Sequence, residues 1–374
     1  MLDGLDDIPW KRLTHAFGSA QDVPDLLRSL KTAPAELKGE QSPLWHLFGN
    51  IWHQGTVYEA TAYAVPFLIE LAACALTPDR RGILGLLAAI ATGSSFREVH
   101  GSLPHTSLSN EPDFAARKAV ELRWVEQAHA AVANGVAAFL AMTEEETDVR
   151  LAAAHVLALL PQHREVVCAR LRDMLHVETG SLQRTGVLLL LGLAGERSAA
   201  TLSVLTDALA GGDPAQRRGA AFAFAYLKAD PLPDLAGAAI VDAIAADDLE
   251  NSFKELPWDA IGEIDREKLH ASLDAVSRHE AAVAGIVTIE DGTATDQTVS
   301  TVLGLLFPLR PPRQMPPLSR FDLSPLQQRA VRALSSAMRD GRIFHGYFPM
   351  WGLPETTAGW RTLASDDGAN SNLH

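Results

Sequence analysis

The sequence predicts an all-α protein, a right-handed superhelical α-solenoid of stacked antiparallel helix pairs that ends in a C-terminal helical cap. Three observations favour this fold class. Three segments of the chain repeat with a spacing of 33 or 34 residues, apolar residues recur at helical spacing within them, and the composition is rich in alanine and leucine, which are strong helix formers.

The repeat is centred on three arginines, Arg150, Arg184 and Arg217, which align the segments VRLAAAHVLALL, QRTGVLLLLGLA and QRRGAAFAFAYL without gaps. A small residue follows each arginine after two positions and again after eight, and a large apolar residue follows after seven. These positions hold Ala152, Gly186 and Gly219, then Ala158, Gly192 and Ala225, then Leu157, Leu191 and Phe224. Small residues at fixed positions let neighbouring helices approach closely, and the large ones fill the space between them.

A second amphipathic helix is predicted after each of these segments. Apolar residues at helical spacing form a stripe that faces a core. The stripes are Val167, Leu171 and Leu175, then Leu202, Leu205 and Leu209, then Leu235, Val241 and Ile244.

The segment of residues 147–246 resembles the short bacterial HEAT repeat, an armadillo-like unit. The resemblance is carried by an opening of the form Asp148-Val149-Arg150, an alanine-rich first helix and an apolar second helix. The stretch GNIWHQGTVYEATAYAVPFL, residues 49–68, is similar to uncharacterised bacterial proteins with HEAT repeat domains. The ankyrin and tetratricopeptide signatures, which share this period, are absent. The resemblance implies an architecture and no activity.

The domain boundaries follow from where this pattern begins and stops. We expect a HEAT-like solenoid over residues 1–307, interrupted by an irregular loop at 93–112 that is rich in Gly, Ser, Pro and His. A proline-rich connector occupies 308–317, a helical cap 318–364 and a disordered tail 365–374. Continuous helices are predicted over 42–55 and over about 113–142.

The familiar enzyme motifs are missing: the sequence contains no GxSxG, GxGxxG, GxxxxGK[ST] or HExxH. Two cysteines, Cys74 and Cys168, exclude a disulfide scaffold and a cysteine-based zinc site. We therefore expect neither a catalytic residue nor a cofactor.

A metal site is the alternative for the loop at 93–112. Imidazole and carboxylate groups there could together hold a divalent cation, but their spacing matches no known ligand pattern, so a solvated polar loop is the favoured interpretation. The groups are His100, His105, Glu98, Glu111 and Asp113.

The densest cluster of aromatic and histidine residues lies between positions 45 and 58. On a continuous helix His46, Asn50 and His53 share one face, whereas Trp45 lies on another. The functional interpretation is a partner-binding site formed by Trp45, His46, Asn50, His53 and Tyr58, because aromatic side chains are enriched among binding hot spots. The structural alternative is that the tryptophan face packs into the helical array.

An acidic band is the second predicted partner-binding site. Residues 242–267 hold nine acidic and two basic residues, whereas 310–342 hold seven arginines and two aspartates. The candidate residues of the band are Asp247, Asp248, Glu250, Glu255, Asp259 and Glu263. The band could bind a basic protein, contact the arginine-rich segment of the same chain, or remain a solvated edge.

The net charge of −14 argues against a nucleic-acid partner, which usually requires a basic surface. The longest apolar run, near residues 187–194, is too short to span a bilayer, so we expect a cytoplasmic protein with no membrane partner.

The leading functional hypothesis is therefore a non-catalytic protein-binding solenoid, and its most concrete version is an immunity-type neutraliser of a basic toxin or nuclease. The alternatives are a HEAT-like enzyme, either a DNA glycosylase or a lyase acting on a bound prosthetic group, and a purely structural scaffold. Fold alone does not decide among these classes.

Overall fold

The computed structural model describes residues 1–101, 108–246, 256, 266–307, 318–340, 348–354 and 356–364. Within these residues the chain forms eighteen α-helices and two short antiparallel two-strand sheets, so the predicted all-α class is confirmed. The contacts divide the chain into two compact units. Unit 1 contains residues 1–204 and 253–262, and unit 2 contains 205–252 and 263–374.

Unit 1 begins with two β-hairpins that alternate with short helices and continues as a series of longer helices. Its first elements are β1 (Thr14–His15), β2 (Gly18–Ser19), α1 (Val23–Ser29), α2 (Pro43–Asn50), β3 (Trp52–His53), β4 (Thr56–Val57), α3 (Thr61–Ala73) and α4 (Arg80–Thr92). There follow α5 (Phe96–Gly101), α6 (Phe114–Ala133), α7 (Val136–Met142), α8 (Thr147–Ala158), α9 (Arg164–Val177) and α10 (Ser181–Ala194). The boundary between the units falls within α11 (Ala199–Gly211).

The continuous helix predicted over 42–55 is wrong in its second half. The Ser42 hydroxyl accepts a hydrogen bond from the Trp45 amide, and Pro43 occupies the first helical position, so α2 begins where the sequence indicates. The helix ends at Asn50, and β3 and β4 follow as a hairpin. The turn residues Gln54 and Gly55 both have positive φ, as a two-residue hairpin of this type requires.

The helix predicted over 113–142 is two helices, α6 and α7. They meet at Gly135, where an added Cβ would lie 2.6 Å from Cδ1 of Ile69 and 2.9 Å from Cε2 of Phe139. A side chain at this position would force Ile69 or Phe139 to shift, so glycine suits the close approach of these side chains.

The loop predicted over 93–112 is partly helical, because α5 occupies Phe96–Gly101. The Ser95 hydroxyl accepts a hydrogen bond from the Glu98 amide at its start. Residues 102–107 of this loop lie outside the described residues.

The three predicted repeat segments each form two helices, α8 with α9, α10 with α11, and α12 (Pro214–Tyr226) with α13 (Asp234–Ala245). In the first helix of each repeat, the two small residues and the large apolar residue of the alignment are buried, which makes nine buried residues in all. The predicted stripe of α9 is buried throughout, and that of α11 is buried at Leu205 and Leu209. In α13 the prediction is wrong at Leu235, which is 58% exposed, because the buried face consists of Ala236, Ile240, Ala243 and Ile244.

Arginines connect successive helices of unit 1. Arg80, at the start of α4, donates to the Ala72 carbonyl at the end of α3 and forms a two-point ion pair with Glu145. Arg150 pairs with Glu178 at the end of α9, with Nε and Oε1 2.6 Å apart. Arg80 therefore satisfies a carbonyl that helical hydrogen bonds leave open at the end of α3, and Arg150 ties the start of α8 to the end of α9 through an ion pair.

Unit 2 contains α12 and α13 together with α14 (Arg266–Ser272), α15 (Ala275–Asp291), α16 (Asp296–Leu306), α17 (Pro325–Arg339) and α18 (Thr357–Ala364). A capping box formed by Ser324 and Gln327 begins α17. A buried cluster that includes Phe307, Leu334 and Trp360 joins the last helices. The predicted connector at 308–317 and the predicted tail at 365–374 lie outside the described residues.

Over the part of the chain that the structure describes, no helix combines the length and the apolar character needed to cross a membrane.

Candidate functional site

The first hairpin of unit 1 places an aromatic side chain at its tip. The two-residue turn between β1 and β2 consists of Ala16 and Phe17. The Ala16 amide donates to the Asn50 carbonyl at 2.9 Å, and the Phe17 amide donates to Nδ1 of His15 at 3.0 Å. The turn is therefore attached to the last residue of α2, and the Phe17 ring is 70% exposed.

A polar network beneath the turn joins three residues that are distant in sequence. Nε2 of His15 lies 3.0 Å from Oδ1 of Asp22, and Nδ2 of Asn50 donates to Oδ2 of Asp22 at 2.7 Å. His15 and Asn50 are buried. Both nitrogens of His15 are engaged, so the ring serves as an anchor for the turn.

The Phe17 ring lies against α2 at Gly49, where a Cβ would be 3.9 Å from Cε2 of Phe17. On its other side it meets the ring of His53, with centroids 5.4 Å apart in an edge-to-face arrangement. Trp45 lies one helical turn before Gly49, is 51% exposed, and contacts the ring of His46 with centroids 5.1 Å apart. We call Phe17, Trp45, His46, Gly49 and His53 the aromatic surface.

Of the five predicted residues of this region, Trp45 contacts His46 and His53 contacts Phe17. The predicted helical face of His46, Asn50 and His53 is wrong, because the chain turns into β3 after Ile51. Asn50 is buried in the anchoring network. Trp45 does not follow the structural alternative either, since half of its surface is exposed.

The sequence analysis missed Phe17, His15 and Asp22. A signal was available, because a phenylalanine next to a glycine in HAFGSAQD interrupts any apolar periodicity and suits the tip of a hairpin. The contact of this tip with Gly49 joins residues 32 positions apart, which no local pattern could indicate.

Tyr58, the fifth predicted residue, lies after β4 and away from the exposed rings. Its hydroxyl is 2.7 Å from the Thr56 hydroxyl, and burial raises the pKa of Tyr58 above its ordinary value against the effect of this hydrogen bond. The nearby negative charge of Glu121 acts in the same direction as burial. Tyr58 is thus a neutral, structural group.

Glu121 belongs to a charged cluster at the described ends of the predicted loop. It is buried and pairs with Arg97, whose Nη2 also donates to Glu111 at 3.1 Å. Hydrogen bonds from Ser94 and Lys118 hold the pKa of Glu98 below its ordinary value.

These pairs bear on the metal site considered for the loop. Arg97, Lys118 and Arg117 already engage the carboxylates of Glu111, Glu98 and Asp113. Among the described residues, no group of three or more His, Cys, Asp or Glu side chains is placed to hold a metal ion. His105 lies outside the described residues.

Other acids of unit 1 with shifted pKa values are also paired. A hydrogen bond from Arg80 lowers the pKa of Glu145. Burial opposes ionisation of Glu196, but hydrogen bonds from Thr201, Arg172 and Ser198 outweigh it and lower its pKa. A pKa below the ordinary value suits an ion pair and does not suit a general acid.

The acidic band is the second partner-binding site that the sequence predicts. Its six predicted residues, Asp247, Asp248, Glu250, Glu255, Asp259 and Glu263, lie outside the described residues. Among the described residues of unit 2, an open groove of about 200 Å³ lies between α12 and α13, and its lining includes Arg217, Arg218 and Asp242.

Comparison of the chain with protein-family models, with curated proteins and with solved structures finds no match. The interpretation of the site therefore depends on its geometry.

Proposed function

We propose that this chain is a non-catalytic protein-binding module and that unit 1 binds its partner through the aromatic surface. The observation that carries the proposal is Phe17, a large apolar side chain that is 70% exposed at the tip of a turn attached to α2. The ring of His53 contacts Phe17, and Trp45, which is 51% exposed, lies one helical turn before Gly49, the residue of α2 nearest the Phe17 ring. Scattered apolar residues on a surface are ordinary, but contiguous aromatic residues indicate an interaction site.

The anchoring of the turn supports this proposal on energetic grounds. Ordering a side chain or loop on binding costs free energy, so a surface that is held in place before the partner arrives binds more tightly. Four hydrogen bonds, through the Ala16 amide, the Phe17 amide, His15 and Asn50, hold this turn. Aromatic residues in such positions are typical binding hot spots.

For the scaffold we propose a HEAT-like solenoid. Support comes from the helix pairs α8 with α9 and α12 with α13, from the buried small residues at equivalent positions, and from the arginines that join successive helices. Stacked pairs of this kind present an extended surface that suits protein partners. Small-angle scattering tests the arrangement, because a solenoid gives a larger radius of gyration than a globular chain of 374 residues.

The most specific form of the proposal is an immunity-type neutraliser of a basic toxin or nuclease. The net charge of −14 and the acidic residues of 242–267 support a basic partner, since opposite fields accelerate association. A gene for a secreted toxin beside the gene for this chain is the expected genomic context.

The decisive experiment begins with capture of a partner from the native host and continues with quantitative binding of that purified partner. The double variant Phe17→Ala/Trp45→Ala should weaken binding by more than about tenfold, because hot-spot truncations cost about 2 kcal/mol or more. The matched control is Phe321→Ala, which removes an aromatic ring that is 88% exposed in unit 2. Equal affinity of the double variant and the wild type would overturn the proposal.

A second measurement separates the aromatic surface from the acidic band. If the band binds the partner, replacing Asp247, Asp248 and Glu250 by Asn, Asn and Gln should slow association at low salt and leave dissociation nearly unchanged. If the aromatic surface is the binding site, Phe17→Ala/Trp45→Ala should instead accelerate dissociation. If the association rate of the triple variant equals that of the wild type at both low and high salt, the acidic band is not the binding site and the aromatic surface is.

A further inference from the structure

One acidic residue beside the aromatic surface has an exposed carboxylate that pairs with no arginine or lysine among the described residues. The side chain of Asp22 is 47% exposed, and among the described residues its recorded ion-pair partner is His15 alone. The neighbouring acids differ, because Asp6 and Asp25 both pair with Arg28.

The partner of Asp22 does not neutralise its charge. Nδ1 of His15 accepts a hydrogen bond from the Phe17 amide, so this nitrogen carries no proton. The single remaining ring proton is on Nε2, which donates to Asp22. The imidazole in this arrangement is neutral, as is the Asn50 amide on the other carboxylate oxygen.

Asp22 is therefore a negative charge in a fixed position. Each carboxylate oxygen accepts one hydrogen bond from a buried group and retains capacity to accept another from solvent or from a ligand. The same His15 ring that orients Asp22 also holds the Phe17 turn, and its centroid is 6.4 Å from that of Phe17. One anchor thus positions an anion and an exposed aromatic ring together.

We propose that an arginine side chain of the partner binds at Asp22 with its guanidinium plane against the exposed rings of the aromatic surface. A guanidinium is planar, donates two parallel hydrogen bonds to a carboxylate and stacks on aromatic faces, whereas a lysine ammonium does not combine these contacts. This inference rests on the proposed function, and it assigns the chemistry of the partner at that site.

The probe for this inference is acetyl-arginine amide, with acetyl-citrulline amide as the uncharged analogue of the same shape. We expect the arginine probe to shift the NMR signals of the Phe17 amide, the Asn50 side-chain amide and the Trp45 indole in a saturable manner. The apparent affinity should fall as salt rises from about 20 to 500 mM, because salt screens an exposed ion pair. The citrulline probe should cause no saturable shift at these signals.

Variants locate the charge that is responsible. Asp22→Asn should weaken binding of the arginine probe about fivefold, the upper range for an exposed ion pair, and Asp25→Asn should leave it unchanged. A shifted Phe17 amide signal in the free Asp22→Asn variant would show that the substitution disturbs the hairpin. In that case the salt dependence of probe binding to the wild-type protein decides whether an ion pair is formed. Equal binding of the arginine and citrulline probes, or binding that does not depend on salt, overturns the inference.

The outcomes for the two proposals are distinct. The variant Phe17→Ala/Trp45→Ala could lose partner binding while the wild type shows no preference for the arginine probe over the citrulline probe. That result would retain the proposed function and reject arginine recognition. Retained partner binding in that double variant would reject the proposed function, and the arginine recognition that rests on it would fall as well.

Discussion

The region of residues 13–58 and the helices α8–α10 belong to the same compact unit, and both contain buried apolar residues, but the N-terminal region adds a turn that polar contacts hold at the surface. In α8 every residue from Leu151 to Ala158 is buried, and α10 is buried almost continuously from Thr185 to Ala194. In the N-terminal region the turn at Phe17 depends on hydrogen bonds to Asn50 and on the contact between His15 and Asp22.

This difference accounts for where each region places its aromatic residues. Repeat helices that pack on both sides leave their large apolar side chains inside, as at Leu157 and Leu191. Hydrogen bonds hold the turn in place, so its stability does not depend on burial of the Phe17 ring. The ring can therefore remain exposed. The comparison indicates that apolar packing builds the helical scaffold and that directional polar bonds hold the turn of the proposed binding surface.

The largest expected effect concerns the packing of the repeat helices. Gly192→Leu should destabilise the protein by about 1–3 kcal/mol, because overpacking a buried site forces its neighbours to move. The measurement is the free energy of unfolding in urea. The matched control is Gly85→Leu in α4, where an added Cβ meets nothing within 4 Å. Equal stabilities of these two variants would show that the repeat alignment is wrong.

The second expected effect is a pH dependence from His155 in α8. Burial lowers the pKa of His155 to about 4 from an ordinary value of 6.5, so the folded state keeps it neutral while the unfolded state takes up a proton. Stability should therefore be complete above pH 6.5 and be lost as the pH falls from 6.5 toward 4, by about 2 kcal/mol between pH 7 and pH 5.

The measurement is the unfolding free energy of the wild type and of His155→Gln between pH 7 and pH 5. The slope should be smaller in the variant. His176→Gln, which changes an exposed histidine of α9, should keep the slope of the wild type. An identical slope in all three proteins would contradict burial as its origin.

The third effect tests the polar anchor of the N-terminal region. Asn50→Ala removes the 2.7 Å hydrogen bond to Asp22 and should cost about 1 kcal/mol, because water can solvate the half-exposed carboxylate that remains. Hydrogen exchange of the Ala16 and Phe17 amides should accelerate in this variant. Asn134→Ala, at an exposed helix end, is the control, and unchanged exchange in Asn50→Ala would show that the turn does not depend on the anchor.

The smallest effect on stability is expected at the binding surface itself. Phe17→Ala should change the unfolding free energy by less than about 0.5 kcal/mol, because most of the ring is already in water. Thermal unfolding checks this, with the core variant Phe139→Ala, at a fully buried site, as the contrast. A loss above about 2 kcal/mol would mean that Phe17 belongs to the core and not to a binding surface.

Local sequence patterns determined much of the scaffold. The arginine-centred alignment, the buried small residues at Ala158, Gly192 and Ala225, and the helix starts at Ser42 and Ser324 could all be predicted, because helix period and capping depend on residues within a few positions. The same reasoning identified Trp45, His46 and His53 as candidate binding residues from their density alone.

Tertiary structure decided how those residues are arranged. Helical spacing alone continues α2 to His53, but positive φ at Gln54 and Gly55 and the pairing of Trp52 with Val57 make a hairpin there. Contacts over 28 to 34 residues bring Asp22, Phe17 and Asn50 together and assign Asn50 to the anchor. The physical reason is the sequence distance over which each signal acts. The helical period of apolar residues shows which face a residue shares with its neighbours in the chain, whereas a hydrogen bond across the fold depends on where distant segments meet.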